Sequence, residues 1–83
     1  MKELEVIIKD DEGIHARPAA LFVGKAKSYH SVITLEKNGE QFNAKNFTSV
    51  LSMGACKNDR VLIRAEGADE DAAIAELSQV LND

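Results

Sequence analysis

Three short runs of alternating apolar residues are separated by stretches whose apolar residues recur every three to four positions. Period two places side chains on one face of a strand, and period 3.6 places them on one stripe of a helix. In the first run Leu4, Val6 and Ile8 alternate with Glu5, Ile7 and Lys9, which predicts a strand with one buried face. Asp10-Asp11-Glu12-Gly13 ends it. Ala19, Phe22, Val23 and Ala26 then predict a helix from Ala16 to about Lys27, in which Gly24 costs about 1 kcal/mol relative to alanine. Val32–Glu36 is a second strand with Ile33 and Leu35 on one side. Asn38-Gly39 predicts a hairpin, since both residues tolerate positive φ, with a return strand near Gln41 to Asn43. Asn46 can cap a short helix from Phe47 to about Met53, and Gly54 can end it. The third run, Arg60–Glu66, alternates Val61, Ile63 and Ala65 with Leu62 and Arg64. Asp69 is predicted to cap a closing helix with the apolar stripe Ala73, Ile74, Leu77, Val80 and Leu81, and Glu70 and Asp71 suit its dipole. The order β-α-β-β-α-β-α predicts an α+β fold, one antiparallel sheet with helices packed on one face.

At 83 residues the chain reads as a single domain, 1–83. A formal net charge of −4 argues against a nucleic-acid or anionic-membrane binder. Cys56 is alone, which excludes an intramolecular disulfide, and it reads as a small buried hydrophobe. No metal-ligand spacing is present, so neither a metal nor a cofactor is expected. The charged start Met1-Lys2-Glu3-Leu4-Glu5 lacks the apolar core of a signal peptide, and no apolar run approaches the ~20 residues of a membrane span. A soluble, cytoplasmic protein is the expectation.

The chemistry concentrates in Gly13-Ile14-His15-Ala16-Arg17-Pro18-Ala19-Ala20. If the first long helix starts after His15, its first backbone N–H groups have no partner within the helix. Pro18 has no N–H and fits a first helical turn, which leaves the amides of Ala16 and Arg17 as free donors. With the positive end of the helix dipole they form an anion site. A neutral imidazole beside them keeps one lone pair for attack, and Arg17 adds a cation for a phosphoryl group. Taken singly, each residue has a plainer reading: a solvated cap for His15, a surface cation for Arg17, a helix start for Pro18.

The run Gly13-Ile14-His15-Ala16-Arg17-Pro18-Ala19 resembles the active-site signature of HPr, the histidine-containing phosphocarrier family of the sugar phosphotransferase system. The resemblance extends over essentially the whole chain, through Leu35-Glu36, Ala44-Lys45, Met53-Gly54 and Glu66-Gly67-Ala68-Asp69-Glu70. It implies an open-faced β-sandwich, a four-stranded antiparallel sheet covered by three helices. It also implies that His15 is phosphorylated at Nδ1, that Arg17 stabilises the phosphate, and that the Ala16 backbone amide assists. Enzyme I, charged from phosphoenolpyruvate, would be the donor and enzyme IIA domains the acceptors. The chain would then be a monomeric carrier with no small-molecule turnover of its own. Phe47 and Leu51, with Ala16, Ala20 and Lys45 at the rim, would form the partner surface. Arg17, Lys45 and Lys25 are expected to make the site locally positive.

The chain departs from the family at three places. Asn46 stands where many members carry a regulatory serine directly after a lysine. Asparagine caps a helix well but cannot accept phosphate, so control by an HPr kinase/phosphorylase is expected to be absent at this helix. Thr48 replaces a large apolar residue of the partner surface. Glu12 puts a carboxylate near His15, where relatives often have a small polar residue. Two competing readings stay open: an HPr-like regulator in a specialised, for example nitrogen-related, branch that mainly binds targets, and a small α+β binding module in which His15 is incidental.

Overall fold

The computed structural model describes residues 1–82, and the alternating and helical stretches take the predicted order. They become β1 (Lys2–Ile7), α1 (Ala16–Lys27), β2 (Val32–Lys37), β3 (Glu40–Asn43), α2 (Phe47–Ser52), β4 (Arg60–Glu66) and α3 (Glu70–Asn82). The four strands form one antiparallel sheet in the order β1-β4-β2-β3, covered on one face by the three helices. This is the open-faced arrangement that the resemblance implied.

Register explains which side chains meet. Val6 lies opposite Val61, while Ile33 and Leu35 lie opposite Ala65 and Ile63, so one sheet face presents a continuous apolar surface. Ala19, Phe22, Val23 and Ala26 of α1, Val50 of α2 and Ala73, Ile74, Leu77 and Leu81 of α3 close over it in a single cluster. Phe22 is fully buried, a contribution of about 2–3 kcal/mol from its side chain alone. The hairpin between β2 and β3 turns at Asn38 (φ 55°) and Gly39 (φ 82°), the left-handed pair that a right-twisted hairpin requires. On the uncovered sheet face Arg64 Nε donates to Glu3 Oε2 at 2.6 Å and Nη1 lies 3.5 Å from Glu36 Oε1, joining β1, β4 and β2.

Three sequence expectations need correction. Leu4 shares the core face opposite Ile63 but is 41% exposed, on a strand at the edge of the sheet that has a neighbour, β4, on one side only. Cys56 is exposed, in the turn after α2, with its backbone N–H donating to Asp59 Oδ2 at 2.8 Å. Asp69 stands at the start of α3, and its backbone C=O accepts from the Ala73 N–H at 3.0 Å. Its carboxylate, however, points to the turn after α1, where it accepts from the His30 N–H (2.8 Å), the Ser31 N–H (2.9 Å) and the Ser31 hydroxyl. These bonds lower its pKa from 3.8 to about 2, the Ser31 hydroxyl contributing most. Glu70 instead reaches back to the Gly67 N–H at 3.2 Å. A second tie joins the same two helices: the Tyr29 hydroxyl donates to Glu76 Oε1 at 2.5 Å and Lys25 Nζ reaches Glu76 Oε2 at 3.2 Å.

Candidate functional site

Gly13 sets the approach to α1. Its φ of 70° turns the chain back after the acidic loop, and its N–H donates to the Asp10 C=O at 2.9 Å. The next N–H, of Ile14, donates to the Ala55 C=O at 2.9 Å, which pins the loop to the segment leaving α2. Ile14 is buried, so the chain reaches His15 from a fixed point.

His15 is the N-cap residue of α1, with extended backbone angles (φ −108°, ψ −173°), and its C=O accepts from the Ala19 N–H at 3.0 Å. Its ring makes no cap hydrogen bond to the helix, and the first turn contains no acidic residue. The amides of Ala16 and Arg17 are therefore left unspent by neighbouring side chains at the positive end of the helix dipole. Pro18 occupies the first turn, where it sacrifices no helical bond. Arg17 is exposed, and among the described residues it forms no ion pair. The site can hold an anion at low cost because the donors and the cation are already in place.

The other side of the ring is acidic. Nε2 of His15 lies 3.5 Å from Glu12 Oε2 and 3.6 Å from Asp10 Oδ2, ion-pair distances rather than hydrogen bonds. The nearness of Glu12 agrees with the sequence reading; Asp10 was not anticipated. Beneath them Ile8, Ile14, Leu21, Val80 and Leu81 line an apolar groove that opens beside His15 and Arg17.

The expected positive rim does not form. Lys45 Nζ donates to the Tyr29 C=O at 2.8 Å, just past the far end of α1 from His15. Lys25 is paired with Glu76 of α3. Only Arg17 of the three cations stands at the histidine, and two carboxylates face it there. These contacts also show that α2 runs antiparallel to α1. Its exit, at Ala55, touches Ile14, and its entry, at Lys45, touches Tyr29.

Along this helix pair Ala16 and Ala20 are exposed, Phe47 is 40% exposed, Leu51 is half-buried and Val50 is fully buried. Thr48 is exposed. Asn46 caps α2 as predicted, its Oδ1 accepting from the Ser49 N–H at 2.8 Å. Leu21, 52% exposed beside the site, was missed by the sequence reading. A signal for it existed, since Leu21 lies off the Ala19, Phe22, Val23 and Ala26 stripe.

Comparison with known proteins decides the family. The family model described as "PTS HPr component phosphorylation site" matches residues 2–83. The chain belongs to the HPr family, the phosphocarriers of the phosphotransferase system. The HPr of Mycoplasma pneumoniae is 39% identical over 82 residues, covering 98% of this chain and 93% of that protein. A solved HPr from Thermoanaerobacter tengcongensis superposes with a TM-score of 0.93 at 42% identity, over 98% of this chain and 91% of the other. An HPr dimer from the same organism matches at a TM-score of 0.76 and 42% identity, over 96% and 92% of the two chains. Among the described residues no helix is long and apolar enough to cross a membrane.

Proposed function

We propose that this HPr-family chain carries a phosphoryl group on His15, taken from enzyme I charged by phosphoenolpyruvate and passed to enzyme IIA domains in sugar uptake. The observation that carries the reading is the N-cap placement of a ring whose nitrogens are not used for capping, beside unspent amides and an Arg17 that forms no ion pair among the described residues. Two carboxylates 3.5 and 3.6 Å from Nε2 repel an incoming phosphoryl dianion on that side, so Nδ1 is the nucleophile. In the transfer the Nδ1 lone pair attacks phosphorus, and the bond from phosphorus to the donor breaks with its electron pair leaving on the donor. Arg17 and the amides of Ala16 and Arg17 meet the charge on the phosphoryl oxygens, and the shallow site lets the next acceptor repeat the step in reverse.

Phe47 and Leu51, with Ala16 and Ala20, supply the transient docking surface, and Lys45 belongs to its outer end. Asn46 removes the hydroxyl that kinase control would need. We assign the chain to one domain, acting as a cytoplasmic monomer without substrate turnover of its own. Light scattering of the purified protein tests the monomer.

Intact-mass analysis after incubation with phosphoenolpyruvate and a bacterial enzyme I tests the central claim. The expected result is one acid-labile phosphate on the wild type and none on His15→Ala. Absence of any adduct on the wild type would remove the carrier reading.

A further inference from the structure

We propose that Asp10 and Glu12 are positioning residues for His15: together they hold the proton on Nε2, before and after Nδ1 takes the phosphoryl group. The inference rests on the carrier reading and adds to it a role for two side chains that face the ring from outside the helix. Their oxygens lie 3.6 and 3.5 Å from Nε2, close enough for a charge effect on either protonation state. Charges from every element packed around the ring set the balance. From the loop the facing charges are Asp10 and Glu12, while Asp11 is taken up by Lys57 Nζ. Among the described residues the only charge lining the groove from α1 is Arg17, and α3 contributes Val80 and Leu81. Among the described residues the balance around Nε2 is therefore two carboxylates against one guanidinium.

The chemistry follows from that balance. In the free protein a proton on Nε2 faces anions, and the lone pair is left on Nδ1. When Nδ1 bonds to phosphorus the ring gains a positive charge, because the Nε2 proton stays where it was. The carboxylates stabilise that cation directly. A cationic ring is the better leaving group, since the N–P bond returns its electron pair to a ring that becomes neutral. The acidic pair thus stabilises the loaded carrier in its readily transferring form. The loop is built to permit this. Asp10 Oδ1 accepts from the Glu12 N–H at 2.9 Å and leaves Oδ2 to face the ring, and Glu12 is exposed with no hydrogen bond to lose through its side chain among the described residues.

The test compares wild type with Asp10→Asn/Glu12→Gln. Asparagine retains an oxygen for the Glu12 N–H, so the turn survives, and a thermal melt confirms it. Both proteins are charged with phosphoenolpyruvate and enzyme I, and phosphohistidine hydrolysis is followed by ³¹P NMR from pH 5 to 9. The expected result is slower hydrolysis of the phosphohistidine in the double variant, by up to about tenfold at pH 8. In the uncharged proteins ¹⁵N NMR of the ring should show a larger Nε2–H fraction in the wild type than in the variant. A charged variant whose profile and tautomer ratio coincide with those of wild type overturns the role of the pair and leaves the carrier reading intact. Failure of the wild type to take up phosphate removes both.

Discussion

A methyl group at Gly13 has nowhere to go. A Cβ there would collide with the Ala55 carbonyl oxygen and come within 2.9 Å of Cys56 Cα, both of them backbone, at a φ of 70°. Gly13→Ala should destabilise the fold by roughly 2 kcal/mol, read as a lower urea midpoint at unchanged slope. Because the same segment carries the Ile14–Ala55 bond, phosphorylation should slow as well. An unchanged midpoint would show that the loop is not pinned as described. Much of the site was readable at this scale, because His15, Ala16, Arg17 and Pro18 are contiguous and a helix N-terminus gives each of them a place. Asp10 was not readable, since its approach to His15 depends on the left-handed turn at Gly13. Nor was the position of Lys45, whose ammonium is captured by a carbonyl 16 residues away.

Among the elements, α1 and α3 make opposite predictions. Gly24 sits in α1 with open space around it, nothing lying within 4 Å of where a Cβ would stand. Gly24→Ala should therefore stabilise the protein by about 1 kcal/mol, measured by denaturant titration. Asp69 at the start of α3 has a folded-state pKa of about 2, against 3.8 as its ordinary value. A lowered carboxylate contributes stability that is complete above the unfolded value and is lost as pH falls through the folded one. Thermal melts should therefore weaken between about pH 4 and pH 2, and Asp69→Asn should be less stable at pH 7 with a flatter curve across that window. A variant curve parallel to wild type would remove Asp69 as the cause. The hairpin and the α1 stripe were legible because their determinants are local. The pairing of Asp69 with His30 and Ser31 was not, because it spans 39 and 38 residues and the same carboxylate suits an ordinary cap.

For the molecule as a whole, the antiparallel α1 and α2 put His15 at one end of a surface and Phe47 toward the other. Phe47→Ala should weaken binding to enzyme I about tenfold in a calorimetric titration while changing stability by no more than about 1 kcal/mol. Equal affinity would shift the docking surface away from α2. The helix-covered sheet was legible from the order of periodicities, whereas the exposure of Leu4 was not, since alternation assigns a face without saying which strand stands at the sheet's edge.

The pairing of β1 with β4, from Lys2 opposite Ala65 to Ile7 opposite Arg60, also has a consequence in time. A growing polypeptide contains His15 well before Ala55 and Arg60 have been added. At roughly 5–20 residues per second that interval lasts a few seconds on the ribosome. Throughout it the histidine has no fixed loop behind it and no second helix beside it. The newborn chain is thus unable to join the relay until most of its sequence has been made.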